Sequence, residues 1–303
     1  MPVPESTYLS PVWRDGLFKD RVVFVTGGAG TICSMQTRAL VRLGADACII
    51  GRDEQKTKTA AQDISTVRRG ARVIGIGGCD VRQMSSLKAA ADRCARELGS
   101  IDFVIAGAAG NFLSSIEALS ANGFKSVMDI DAIGTFNTIK ATMPHLLQSR
   151  TPRILFVSAT FHYTGMPLQG HVAAAKAAVD SLMASVALEY GPRGVVSNVV
   201  APGAIEDTEG AARLLSSDER ARRSYAAGIP LGRLGTVRDV ADVTVFLFSE
   251  AGSYINGQTI PVDGGAWRRQ GGDGALGGDD PSMRYPQYLL LESDDEKKKK
   301  AKL

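Results

Sequence analysis

A glycine-rich turn, Thr26-Gly27-Gly28-Ala29-Gly30-Thr31-Ile32, follows directly on the apolar run Val22–Thr26 and opens a helix-patterned stretch. Glycines between a strand and a helix N-terminus let backbone N–H groups approach a pyrophosphate, whose negative charge the helix dipole favours. Such a turn can also be turn chemistry alone. What lifts this one above that reading is the series that continues from it. Short apolar or β-branched runs recur at Ala47–Ile50, Arg72–Gly75, Phe103–Ile105, Ile154–Ser158, Val195–Val200 and Thr259–Val262. Between them lie stretches such as Gln36–Leu43, Ser85–Leu98 and Ala173–Leu188, rich in Ala, Leu, Lys, Arg and Glu. About seven strands separated by helices predict an α/β protein with a doubly wound parallel sheet, because parallel neighbours need helical crossovers.

No internal repeat divides the 303 residues, so the expectation is one Rossmann-type domain over residues 20–267. Residues 1–19 precede it as an N-terminal extension. Residues 268–303 follow as a tail rich in glycine and charge, too polar to offset its own ordering entropy and so expected to be mobile. The net charge is only +3, with Lys297–Lys300 in one terminal run and no basic stripe interleaved with aromatics, which argues against nucleic acid. The four cysteines, Cys33, Cys48, Cys79 and Cys94, show no C-x-x-C pattern and no histidine partners. No metal site and no disulfide framework is expected. Residues 1–19 lack the basic start and apolar run of a signal peptide, and no uninterrupted apolar stretch approaches the ~20 residues of a membrane span, so no membrane insertion is expected.

The candidate cofactor residues follow from that frame. Gly27, Gly28, Ala29, Gly30, Thr31 and Ile32 form the phosphate turn. The second strand ends in Gly51-Arg52-Asp53, where an NAD site usually carries an acid for the ribose 2′-hydroxyl. A cation there suits a 2′-phosphate, so Arg52 points to NADPH; the alternative is a solvated residue at a helix start. Asp53 suits an N-cap of the next helix. Asp80 and Val81, after the third strand, are placed to contact adenine.

These features resemble the short-chain dehydrogenase/reductase family over roughly residues 20–267, with Ala108-Ala109-Gly110, Lys176 and Ala201-Pro202-Gly203 as further matches. The resemblance implies that Lys176 holds the nicotinamide ribose, while Pro202, Gly203 and Ile205 shape the nicotinamide pocket. It also implies an Asn-Ser-Tyr-Lys tetrad, and here the chain departs. Val172 stands four residues before Lys176, in the tyrosine's place; the serine position falls at or beside Ala159, next to Ser158; Asp131 holds the asparagine position; Thr31 and Cys33 replace glycines. Valine cannot protonate a carbonyl oxygen, so ketone–alcohol chemistry is disfavoured.

The segments Val104–Phe112, Asp129-Ile130-Asp131, Ser158–Tyr163, Gly165–Lys176 and Ala201–Ile205 resemble, within that family, the peroxisomal 2,4-dienoyl-CoA reductases, particularly the fungal ones. That resemblance implies an NADPH-dependent reduction of 2,4-dienoyl-CoA to 3-enoyl-CoA, an auxiliary step of β-oxidation of unsaturated fatty acids. Asp131 and Lys176 are then the catalytic candidates, polarising a water, although Asp131 could instead be a structural helix residue. Asn111 and Phe112 would line the thioester and acyl pocket, and Arg82 and Arg213 would pair with CoA phosphates. His162, Tyr163 and His171 occupy no tetrad position and are expected in the pocket wall or the core. The ending Ala301-Lys302-Leu303 varies on the Ser-Lys-Leu address and implies a peroxisomal import receptor as partner. Family members usually assemble through the helices carrying the Asp131 and Lys176 positions, so a homo-oligomer, a dimer, is expected. The competing readings are a ketoreductase of the same fold and a catalytically silent NADPH-binding scaffold.

Overall fold

The computed structural model describes residues 3–214 and 219–268, the side chains at 209, 213 and 214 excepted. Among the described residues, seven strands alternate with ten α-helices. The strands are β1 (Val22–Thr26), β2 (Asp46–Ile50), β3 (Val73–Ile76), β4 (Phe103–Ala106), β5 (Arg153–Val157), β6 (Val196–Pro202) and β7 (Gln258–Val262). The helices are α1 (Thr31–Arg42), α2 (Glu54–Ser65), α3 (Met84–Leu98), α4 (Ala121–Met128) and α5 (Gly134–Leu146). They continue with the single turn α6 (Phe161–Thr164), then α7 (Gly170–Tyr190), α8 (Glu209–Leu214), α9 (Glu219–Ala227) and α10 (Val237–Phe248). All strand pairs are parallel, in the order β3-β2-β1-β4-β5-β6-β7. The expected sheet is present, with each strand boundary within two residues of its expectation.

Strand alternation divides the core. Val23, Val25, Ile49, Ile105, Leu155 and Val200 face one way, onto α1, α2 and α10 through Leu40, Ile64 and Val240. Phe24, Cys48, Ile50, Val104, Phe156 and Val199 face the other, onto α3, α5 and α7 through Leu87, Ile139 and Val179. Both faces of the central strands are covered, which is why these strands read as continuous apolar runs. All four cysteines are free and buried.

The segment before β1 belongs to the first of these layers. Tyr8, Leu9 and Phe18 are buried in it. Phe103 stacks on Phe248 at 4.8 Å, and Phe18 meets it edge-on at 5.5 Å. Trp13 Nε1 and the Ser10 amide both donate to Asp242 Oδ1 on α10, at 2.8 and 3.0 Å.

The strand order reverses between β1 and β4, and ligands of open α/β sheets bind outside the carboxyl ends of the strands at such a point. The Thr26 hydroxyl holds that crevice open at its base. It accepts the Gly107 and Ala108 amides at 3.1 and 3.3 Å, tying the end of β1 to the loop after β4. Helix α7 is apolar and long enough for a membrane span by composition, but here it packs along β6 and carries Lys176, so its apolar faces serve the fold.

Candidate active site

A cavity of about 1060 Å³ opens at this crevice. Gly27, Ala29, Gly30, Thr31 and Ile32 line its floor; Gly30 is the N-cap of α1 and no side chain caps the helix, which leaves its first amides open at the cavity. Gly27 has φ +66°, and a Cβ there would stand 2.9 Å from Ala108 Cα. Only glycine lets the turn approach β4 so closely. Gly28 does not line the cavity. A Cβ at that position would meet Ile49 Cβ at 2.5 Å, so this glycine serves the packing of the turn on β2.

Arg52, Asp53, Asp80, Val81, Ala108, Ala109, Gly110, Lys176, Pro202, Gly203 and Ile205 all border the same cavity. Asp53 also caps α2, accepting the Lys56 amide at 2.8 Å. Of the substrate candidates, Asn111 and Phe112 line the cavity. Arg82 does not line it. Its guanidinium grips Asp80 with Nε at 3.0 and 3.1 Å and NH2 at 2.6 Å, which holds the Asp80 carboxyl below the usual carboxylate range. The Arg213 side chain and Ala301-Lys302-Leu303 lie outside the described residues.

Asp131 and Lys176 meet at the inner end of the cavity. Lys176 Nζ stands 3.1 Å from Asp131 Oδ2 and donates to the Val157 carbonyl at 3.1 Å. Asp131 is fully buried; its Oδ1 accepts the Gly110 amide at 2.6 Å, while Oδ2 faces the ammonium without an aligned hydrogen bond. A buried carboxylate is tolerated where a cation and an amide face it, as here. Asp131 stands in a π-helical turn, Asp129–Ile133, that joins α4 to α5, and such turns are frequent at functional sites. Val172, at the expected tyrosine position, lines the cavity, as do both Ser158 and Ala159, at or beside the expected serine position. Burial pushes the Cys33 thiol up to about 12 despite the opposing charge of Lys176, which keeps that cavity-lining cysteine protonated and unreactive.

Several lining residues carried no motif in the sequence. Lys56, in the first turn of α2, adds a second cation to the lining beside Arg52, and nothing in the sequence pattern marked it. Thr208, Tyr225 and Ile229 enter from the segment around α8 and α9, where nothing in the pattern marks a ligand contact. His162, Tyr163 and His171 do not border the cavity; His171 is buried with its ring 4.3 Å from that of Phe112. Among the described residues no group of three metal-binding side chains comes together.

Comparison with known proteins matches this architecture. A family model described as enoyl-(acyl carrier protein) reductase matches residues 27–266. A peroxisomal 2,4-dienoyl-CoA reductase of Saccharomyces cerevisiae, named as producing (3E)-enoyl-CoA, is 52% identical over 256 residues, covering 84% of this chain and 87% of the yeast protein. The enzyme of the same name from Danio rerio is 39% identical, with 86% of each chain covered. Among solved structures, levodione reductase superposes with a TM-score of 0.78 at 25% identity, over 83% of this chain and 99% of that one. A citronellol catabolism dehydrogenase of Pseudomonas aeruginosa gives 0.72 at 29%, over 84% and 98%. With the crevice at the strand switch, the glycine turn and Lys176 in place, this chain belongs to the short-chain dehydrogenase/reductase family.

Proposed function

We propose that the protein is an NADPH-dependent 2,4-dienoyl-CoA reductase yielding 3-enoyl-CoA. The observation that carries this reading is the buried Asp131–Lys176 pair at 3.1 Å, facing a cavity in which Val172 stands where a ketoreductase needs a tyrosine. Relatives bearing that activity in their names are similar over more than four fifths of the chain.

The cavity fits a nicotinamide dinucleotide on the chain's own features. The uncapped N-terminus of α1 and the glycine turn suit the pyrophosphate, and Arg52 with Lys56 suits a 2′-phosphate. Lys176 is placed for the nicotinamide ribose, with Pro202, Gly203 and Ile205 against the ring. When bound, the reduced nicotinamide supplies a hydride to the distal carbon of the conjugated diene.

The protein's part is to handle the charge and the proton that follow. Negative charge develops on the thioester oxygen, where fixed donors and a nearby cation give the largest benefit. Lys176 supplies the cation, and Asn111 and Phe112 orient the thioester. Asp131 Oδ2 and Lys176 Nζ hold a water whose proton goes to the α-carbon, and the ammonium then stabilises the hydroxide until solvent reprotonates it. No alcohol oxygen forms, so the site needs no tyrosine. Arg82, held rigid by Asp80 beside the cavity, and Arg213 take the CoA phosphates.

The assay is NADPH oxidation with 2,4-hexadienoyl-CoA, run beside acetoacetyl-CoA and with NADH in parallel. Consumption with the dienoyl-CoA and NADPH alone is the expected result. Turnover of the keto substrate would revive the ketoreductase reading, and binding of NADPH without any turnover would make the chain a scaffold. We further place it in the peroxisome, as its relatives are named, with Ala301-Lys302-Leu303 read by the import receptor. Assembly as a homodimer is the reading that suits the exposed Phe124, Ile133 and Phe136 beside the Asp131 turn.

A further inference from the structure

A second polar cluster, gathered on the carboxylate of Asp180, stands behind the cavity wall, and the mechanism above does not use it. Asp180 lies on α7 one turn beyond Lys176, with only 14% of its side chain exposed. Its Oδ2 collects three groups from two other parts of the fold. Tyr163 Oη donates at 2.6 Å, Thr259 Oγ1 on β7 donates at 3.1 Å, and His162 Nε2 stands at 3.3 Å. Burial alone would raise the Asp180 pKa, but His162, Ser158 and Tyr163 together hold it below its ordinary value. The His162 and Tyr163 rings lie 3.9 Å apart, and Tyr163 in turn packs on Trp267 at 5.3 Å.

The placement of this cluster in the chain matters more than its charge. Ser158, Ala159, Thr160 and Phe161 are consecutive and all border the cavity, whereas His162 and Tyr163, the next two residues, do not. Those two side chains fasten the end of the wall to α7 and β7. Phe161 adds an apolar contact to Val127, Val172 and Ala175. A fastening made for stability alone would be served as well by apolar side chains, because a largely buried carboxylate gives little net stability over well-packed apolar groups. What a carboxylate with two hydrogen-bond donors and a facing imidazole adds is a single geometry.

We propose that Asp180 is a positioning residue for the acyl-CoA half of the site: through His162 and Tyr163 it fixes where the Ser158–Phe161 wall stands, and so how the dienoyl group is presented, without touching substrate or cofactor. This rests on the reading above, in which that half of the cavity receives the acyl-CoA. The polar partners of Asp180 Oδ2 are Tyr163, Thr259 and His162, apart from the glycine turn, Arg52 and Lys56, so the phosphate contacts of the cofactor are expected to be independent of it.

The test compares the wild type with Asp180→Asn, His162→Gln and Tyr163→Phe. Steady-state constants for 2,4-hexadienoyl-CoA, its dissociation constant in the presence of NADP+, and the dissociation constant of NADPH are measured for each. Trp267 emission is followed in a Trp13→Phe background, since the chain has two tryptophans. For Asp180→Asn the expected result is a kcat/KM for the dienoyl-CoA lower by roughly tenfold to a hundredfold, carried by KM, with NADPH affinity unchanged and Trp267 emission shifted. Tyr163→Phe removes one hydroxyl and follows in the same direction to a smaller extent, so it carries the test should Asp180→Asn fail to fold. Unchanged acyl-CoA binding in folded variants, or NADPH affinity lost in step with it, overturns the positioning role. A wild type that binds the acyl-CoA but oxidises no NADPH strikes the reaction and leaves the binding arm to decide this proposal. One that neither binds nor reacts overturns both.

Discussion

Removing the Asp131 carboxylate and removing the Lys176 ammonium are not symmetrical experiments. Asp131 is bonded to the Gly110 amide as well as facing Lys176, so Asp131→Asn keeps one acceptor and loses the charge. Turnover is expected to fall by roughly 10²–10⁴-fold, the usual weight of a positioned acid–base group, with NADPH affinity little changed. Stopped-flow reduction of 2,4-hexadienoyl-CoA beside NADPH fluorescence titration checks both halves, and unchanged turnover would remove Asp131 from the mechanism. Lys176→Ala is expected to lose turnover and cofactor affinity together, because in the proposed mechanism one ammonium serves both. At the other end of the cavity, Arg52→Ala should weaken NADPH by about 1.5–3 kcal/mol, the weight of a charge-assisted hydrogen bond, and leave NADH nearly unaffected. The ratio of kcat/KM for the two cofactors reads this directly. Arg52 was legible because the end of β2 is a fixed place in this topology. Lys56 was not, because a lysine at the start of a surface helix is ordinary until the fold turns it toward the cavity.

Among the elements, α10 shows how a helix start couples to pH. Thr236 and Asp239 form a reciprocal cap, and Arg233 adds two contacts to the Asp239 carboxylate at 2.8 and 3.0 Å. The Arg233 hydrogen bond, with the Thr236 contacts, brings Asp239 down to about 2. A carboxyl depressed in the folded state contributes stability above its ordinary pKa, and that contribution is lost as the pH falls from there through about 2. Thermal unfolding between pH 5 and pH 2 should therefore show a smaller acid loss in Asp239→Asn than in the wild type; identical slopes would show that the cap carries no linked proton. The capping box spells itself out as Thr-x-x-Asp before an apolar run. The docking of residues 3–19 does not. Tyr8, Leu9, Trp13 and Phe18 follow no helix or strand period, and their docking draws on partners distant in the chain, Asp242 on α10 for Trp13 and Phe103 on β4 for Phe18.

On the scale of the whole molecule, the sheet was legible because its central strands are buried on both faces and so appear as apolar runs of the right length. Side-chain pairings that close across the sheet were not, and the Asp180 cluster is the clearest case: Tyr163, Asp180 and Thr259 are far apart in sequence and share no motif. If the chain self-associates through its exposed aromatic face, Phe136→Glu should yield a smaller species by light scattering with the cavity residues intact. A wild type that is already monomeric would dispose of the dimer. The π-helical turn at Asp129–Ile133 bears on how this chain could change by mutation. A π turn is an α-helix carrying one residue too many, and each residue of an α-helix advances about 100° around the axis. Deleting Ala132, a residue with no polar side chain, would let α4 and α5 merge into one regular helix while rotating Asp131 out of step with Lys176. A three-nucleotide loss could thus silence the enzyme and leave a well-folded dinucleotide-binding protein behind.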